Sequence, residues 1–329
     1  MSEPISINPN SACIIIASHI SNKKRISYLM ECLNSLLRQS IPIAIYLSIS
    51  FETIELQRLF GLVYSEQKHL HHDLLYIWIK QVKTPQMRHM EQLLPVLEEN
   101  KKQWIMFCDD DDTYEPNRVL VILQTIVNCL EQIRQHGISM ENKKLAGVYE
   151  STFGKQHKEQ RHEFWCYCVH VSIMQRFMRI LRQYSDILDH KCCDVLFGEF
   201  LRRLNDDHLY GSITTKYYNY RVDNNSDSIT GEIQQKMRHV RIPKYGVTNM
   251  NREECAKDLN EYLVNEGKIY FHDTYLRTII GNGFDDILKN EFKTEYEILD
   301  LVDQGYMGEL RAYHERLRGV ANQIYDIFI

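Results

Sequence analysis

The sequence predicts an α/β fold, a mostly parallel sheet flanked by helices, followed by a helical C-terminal extension. Three observations carry this. Short β-branched apolar runs alternate with helically spaced apolar residues through the first third of the chain. The pattern turns mainly helical from about Glu232. Neither an internal repeat nor a low-complexity linker interrupts it. Strands that alternate with helices in this way form parallel sheets covered on both faces.

The elements follow in order. Ala12–Ala17 is an unbroken apolar run, the pattern of a strand buried on both faces. Ile26, Leu29, Met30, Leu33 and Leu37 then recur at helical spacing and form one stripe against the sheet. Ile43–Ile49 is the second strand, Thr53 to about Tyr64 the second helix and Leu74–Ile79 the third strand. Met87, Met90, Leu94 and Leu97 mark a third helix, which Pro95 is expected to kink or end. Trp104–Cys108 is the fourth strand. A long helix is expected over Arg118–His136, strands at Leu145–Glu150 and Phe164–Val171, helices at Ile173–Leu181 and Cys193–Leu204, and a strand at Ile213–Tyr220. Beyond the loop-like run Asp223–Ser228, helices are expected at Arg252–Asn265, Asp273–Ile280, Glu295–Val302 and Met307–Phe328. The expected division is a catalytic domain over residues 1–230 and a helical extension over 231–329.

Composition bounds the function. With 329 residues and 44% hydrophobic content, the chain can bury a sizeable core, and 14 Gly and 7 Pro leave no room for a fibrous or linker-rich architecture. A net charge of −5 supplies no excess of cations to neutralise phosphates, which argues against a general nucleic-acid binder. The apolar runs are far shorter than the roughly 20 residues of a membrane span, and Met1–Asn10 does not read as a secretory signal. The expected location is therefore cytoplasmic, and the nine cysteines are expected to be reduced and mostly buried. No Cys-x-x-Cys pair suggests zinc.

The acidic run Asp109-Asp110-Asp111-Asp112 stands out, directly after the fourth strand. Four consecutive carboxylates repel one another unless a cation offsets them. In an extended segment, residues i and i+2 point the same way, so Asp109 and Asp111 can converge on one hard divalent ion, Mg²⁺ or Mn²⁺. Ligands of open α/β sheets bind at these strand ends. The bland reading is a solvated acidic turn or a helix cap.

These segments resemble the family 2 type glycosyltransferases with a GT-A fold. Ile14–His19, followed by Leu33-Asn34-Ser35-Leu36-Leu37-Arg38-Gln39-Ser40, is similar to the family's first strand and its Ser-x-x-x-Gln-Thr helix end. Phe107–Pro116 is similar to its Asp-x-Asp-Asp-x-Tyr-x-Pro segment, and Gln86-Met87-Arg88 to an element whose Arg lies near the donor. Cys192-Cys193-Asp194 occupies the place of the Glu-Asp motif that carries the base. Tyr217–Ser226 resembles the stretch that closes the catalytic domain.

The resemblance implies a metal-dependent, inverting transfer of a sugar from a nucleotide-sugar donor, UDP-sugar favoured, to a glycan or other hydroxyl acceptor. It implies Asp109, Asp111 and Asp112 as the metal residues, Mn²⁺ or Mg²⁺ as the cofactor and Asp194 as the catalytic base. It places Ala17, Ser18, His19, Glu52, Arg88, Asp109 and Asp110 around the donor. Three positions depart from the family: Ser48–Thr53 lacks its nucleobase-contacting Asp segment, Cys193 replaces the Glu of Glu-Asp, and Asp223 replaces a His.

Other readings stand beside these. Asp194 also suits a helix cap, Arg88 and Arg221 suit exposed positions, and Trp165, Tyr167, Tyr217, Tyr218 and Tyr220 offer either a sugar-stacking face or core packing. His69, His71, His72 and Asp73 read as a solvated loop. The apolar stripe from Leu310 to Phe328 suits packing within the chain or contact with a second copy, since its polar face mixes both charge signs. A nucleotidyltransferase would carry a Gly-rich turn after the first strand, and Ser18–Arg25 has no Gly. A catalytically inactive binding protein is a further alternative.

Overall fold

A computed structural model describes residues 7–67, 70, 73–135, 144–151, 163–190, 193–204, 208–221, 253, 257, 260 and 303–326. Its elements are β1 (Ala12–Ile20), α1 (Lys23–Leu37), β2 (Ala44–Phe51), α2 (Ile54–Glu66), β3 (Leu75–Ile79), α3 (Gln86–Glu99) and β4 (Trp104–Phe107). Then come β5 (Thr113–Tyr114), α4 (Arg118–Gln135), β6 (Lys144–Glu150), β7 (Tyr167–His170), α5 (Val171–Leu181) and α6 (Ser185–Leu188). The series closes with α7 (Cys193–Arg203), β8 (His208–Ile213), β9 (Tyr218–Asn219) and α8 (Gln304–Asp326). The chain divides into two compact units, Met1–Arg221 and Val222–Ile329.

In the first unit seven strands form one sheet in the order β3-β2-β1-β4-β7-β6-β8. Pairing is parallel from β3 through β4, and β7 runs antiparallel to both β4 and β6. This is the mostly parallel, helix-flanked α/β class that the alternation predicts. The chain lays down β1, β2 and β3 outward in one direction and then returns to place β4 on the other side of β1. The gap between the carboxyl ends of β1 and β4 is thus a topological switch point, where open α/β sheets leave a crevice for ligands.

Local chemistry explains the elements. β1 is apolar and buried along most of its length because parallel strands lie on either side of it and helices cover the sheet. Asn22 caps α1 by accepting from the Arg25 N–H, and Thr53 caps α2 by accepting from the Leu56 N–H. Gly147 is required where β6 meets β7, since a Cβ there would lie 1.9 Å from the Cys168 carbonyl oxygen. The seven described cysteines are all free thiols, and six are buried.

Three expectations need correction. The strand expected over Phe164–Val171 is confined to Tyr167–His170, after a 3₁₀ turn over Phe164–Cys166. Pro95 does not end α3, which runs on to Glu99. Met87, Met90, Leu93, Leu94 and Leu97 are buried on both sides of the proline, and that packing compensates the hydrogen bond it removes. The single strand expected over Ile213–Tyr220 is two strands. β8 pairs with β6 as far as Ile213, and the chain then crosses to pair β9 with β5 in a separate ribbon.

In the second unit α8 buries Met307 and Val320, and Asn260 accepts a hydrogen bond from the Asp303 N–H. The helices expected at Asp273–Ile280 and Glu295–Val302, most of that at Arg252–Asn265, and the His69, His71 and His72 cluster lie outside the described residues. No helix among the described residues is long and apolar enough to cross a membrane.

Candidate active site

The acidic run leaves the end of β4 at the switch point. Ser18, near the end of β1, donates a hydrogen bond to Asp110 Oδ2 at 2.6 Å, which ties the two central strands together there. Arg25, in the first turn of α1, binds Asp110 Oδ1 and donates from Nη1 to Asp111 Oδ2 at 2.9 Å. Gln86, the first residue of α3, donates to Asp109 Oδ1 at 2.8 Å. Tyr218 on β9 donates to Asp112 Oδ2 at 2.7 Å and accepts from the Asp109 N–H, while the Arg221 N–H donates to Asp112 Oδ1.

The four carboxylates therefore divide into two kinds. Asp110 and Asp112 are buried, and both oxygens of each accept hydrogen bonds. Asp109 and Asp111 each keep one oxygen, Oδ2 and Oδ1 respectively, with no partner among the described residues. The run is not extended as the sequence suggests: Asp110 and Asp111 form a turn closed by the Asp112 N–H on the Asp109 carbonyl at 3.2 Å, so the split comes from the partners each carboxylate meets and not from strand alternation.

Electrostatics agree with the geometry. Burial, then the charges of Asp112, Asp111, Asp194 and Asp110, hold the Asp109 carboxyl well above the ordinary carboxylate range. Burial also pushes Asp112 up to about 7, against the hydrogen bonds from Arg221 and Tyr218 that oppose it. Asp110 rises to about 6, burial outweighing Arg25. Burial and mutual repulsion thus disfavour holding all four carboxylates charged at once. The site's open donors are two carboxylate oxygens, hard ligands of the kind Mg²⁺ and Mn²⁺ take alongside water and phosphate oxygens. Among the described residues no group of three or more His, Cys, Asp or Glu is placed to hold a metal ion.

Asp194 lies in the first turn of α7, and its charge is felt at Asp109, so the fold brings residues 85 apart in the chain to one place. Arg88 points elsewhere: its guanidinium binds Asp189 and Glu91 at 2.8 and 2.9 Å. Ala17 is a buried backbone position of β1 opposite Ser48.

His19 and Glu52 meet at the ends of β1 and β2, where His19 Nε2 donates to Glu52 at 2.8 Å and Lys83 binds the same oxygen at 2.9 Å. Lys83 and His19 hold Glu52 below the ordinary carboxylate range. His19 Nδ1 hydrogen-bonds the Ser50 hydroxyl at 2.9 Å. Ser50 also hydrogen-bonds His89 Nε2 at 3.1 Å, and Ser48 hydrogen-bonds His89 Nδ1 at 2.8 Å. Burial lowers His89 to about 4, so this ring stays neutral.

Trp165 is not a free stacking face. It is 8% exposed, and its ring stacks with Tyr218 at 4.2 Å and with Tyr220 at 5.4 Å between centroids. Gln39, the Gln of the helix-end motif, has a structural use: its amide binds the Glu115 carbonyl and the Val119 N–H, latching α1 to the segment after the acidic run.

Sequence reasoning missed Arg25, Gln86 and the buried pair of Arg118 and Glu150. Arg25 follows Lys23 and Lys24 in a polar helix start, so no periodicity distinguishes it. Arg118 is fully buried, donates to Glu150 Oε2 at 2.7 Å and lies over the Tyr114 ring. Glu150 in turn accepts from the backbone N–H groups of Tyr217 and Tyr218, which holds β9 against the acidic run.

No protein-family model matches the chain, and no curated protein matches it significantly. Among solved structures it is similar to S. aureus TarS 1-349 in complex with UDP, at 13% identity and a TM-score of 0.38, with 95% of this chain and 89% of that chain covered. For TarS 1-349 in complex with UDP-GlcNAc the identity is 12% and the TM-score 0.36, with coverage of 95% and 89%. For S. aureus TarS the values are 14% and 0.39, with coverage of 95% and 54%. At these TM-scores the backbones share a loose outline, too little to transfer chemistry.

Proposed function

We propose that the chain is a metal-dependent, inverting glycosyltransferase of hexosyltransferase type, with a GT-A catalytic domain over residues 1–230 and a helical extension over 231–329. The observation that carries the reading is the acidic run at the switch point, with one open oxygen on each of Asp109 and Asp111 and Asp194 within electrostatic reach. Asp109 and Asp111 would hold Mn²⁺ or Mg²⁺, and Asp112, engaged on both oxygens, would fix the loop. The cation, when bound, supplies charge neutralisation to the departing diphosphate of a UDP-sugar.

Asp194 takes the proton of the acceptor hydroxyl as its oxygen bonds to the anomeric carbon and the bond to the diphosphate breaks. One base without a covalent nucleophile gives inversion. Ser18 and Gln86 keep Asp110 and Asp109 oriented, and Glu52 with His19 offers hydrogen-bonding groups at the ends of β1 and β2, where the nucleoside would lie.

Calorimetry with UDP-, GDP- and CMP-sugars in the presence of Mn²⁺ tests the reading, together with transfer assays. At least one donor is expected to bind in a Mn²⁺-dependent manner; binding of none overturns the proposal. Asp111→Asn is expected to abolish Mn²⁺-dependent donor binding. Asp194→Asn is expected to keep donor binding and lower transfer by about 100- to 10,000-fold, the usual worth of a general base; weakened donor binding with transfer intact would make Asp194 structural.

A further inference from the structure

Arg25 is the side-chain cation that reaches into the acidic run from α1. Its guanidinium spans two carboxylates, Asp110 and Asp111, and its side chain is only 15% exposed. Asp111 is also one of the two residues with an open oxygen. The carboxylate that a divalent ion would take is thus already held, through Oδ2, by a resident positive charge.

We infer that Arg25 is a built-in counter-ion of the apo site, which the divalent cation displaces from Asp111 and which then turns to the donor's diphosphate. The inference rests on the glycosyltransferase reading for the identity of the cation and the donor. Two positive groups on one carboxylate repel each other at short range, and the dry surroundings strengthen that repulsion. Arg25 has somewhere to stay, since Asp110 is fixed by Ser18 and remains its partner when Asp111 is given up. The released Nη1 keeps its N–H groups and its charge, which suit a phosphate oxygen. The first turn of α1 adds the positive end of a helix dipole to the same place. Arg221 does not duplicate this role, because it binds the Asp111 carbonyl and Glu31 and stacks on Tyr28.

The consequence is an exchange of charges: metal and Arg25 compete for Asp111 until a diphosphate arrives, and then they cooperate. Titration of the full chain with Mn²⁺ alone, then with UDP at saturating Mn²⁺, tests this in wild type, Arg25→Gln and Arg25→Lys. Arg25→Gln is expected to bind Mn²⁺ about tenfold tighter and UDP about tenfold weaker, a coupling of ordinary size. Arg25→Lys is expected to lie close to wild type for Mn²⁺ and between the two for UDP. Equal or weaker Mn²⁺ binding by Arg25→Gln, with wild type binding both ligands, overturns the inference and leaves the functional reading standing. No Mn²⁺ binding by any form, with or without UDP, overturns both. If Arg25→Gln does not fold, Asp110→Asn and the double variant Arg25→Gln/Asp110→Asn carry the same comparison, since the stranded carboxylate is then absent. The double variant is expected to bind Mn²⁺ tighter than Asp110→Asn, and equal affinity overturns the inference.

Discussion

Two arginine–carboxylate clusters meet within one unit, and they are built on opposite terms. Arg118 and Glu150 form a sealed pair, 0% and 3% exposed, in which one cation faces one anion and both Glu150 oxygens are satisfied by Arg118 and the backbone of β9. At the end of β4, Arg25 answers two of four consecutive carboxylates, and two of those four keep an open oxygen. The sealed pair balances its charges and positions a strand, although Arg118 Nη1 is buried without a hydrogen-bond partner. In the acidic run carboxylates outnumber the guanidinium groups that bind them. Balance of charge, more than burial, separates the structural cluster from the candidate active site.

The largest effect is expected from breaking the sealed pair. Glu150→Gln leaves the Arg118 guanidinium buried without its anion and is expected to cost about 3–5 kcal/mol in chemical denaturation. Arg118→Met combined with Glu150→Gln removes both charges and is expected to cost less than Glu150→Gln alone. If the double variant is the weaker, charge balance is not what holds the pair.

His89 sharpens the comparison as a buried ionisable group that needs no counter-ion because it stays neutral. Its ordinary value of 6.5 falls to about 4 in the fold, so the unfolded chain binds more protons between those limits and stability drops as the pH is lowered through them. At about 1.4 kcal/mol per pH unit the effect is worth about 3 kcal/mol. The raised Asp110 and Asp112 act in the opposite sense, stabilising the fold as pH falls from about 7. The His89 contribution is therefore read as the difference between wild type and His89→Gln across pH 4 to 7. A difference that does not change with pH would refute it.

The smallest effect belongs to an exposed pair. Arg182, 54% exposed, binds Glu91 at 2.7 Å, and Arg182→Ala is expected to change stability by less than about 1 kcal/mol and to lose even that at high salt. A larger, salt-independent loss would show that Glu91 depends on it beyond charge.

Much of the fold was legible because burial writes itself into pattern. The runs at Ala12–Ala17 and Trp104–Cys108, and the stripe from Ile26 to Leu33, report which faces meet the core, since apolar surface must leave water. Of the two outcomes expected of Pro95, a kink or an end, the end does not occur, because packing on both sides carries the helix past it. The break between β8 and β9 was invisible because pairing partners, β6 for one and β5 for the other, are chosen far away in the chain.

The same distinction applies at the site. The sequence alone determined that four carboxylates follow a buried strand; the extended geometry expected to turn Asp109 and Asp111 the same way is replaced by a turn over Asp110 and Asp111. Which oxygens stay open, and which cation stands among them, was decided only in three dimensions. Ser18, Arg25, Gln86 and Tyr218 reach the run from four different elements, and hydrogen bonds and ion pairs depend on distance in space, which spacing along the chain does not record.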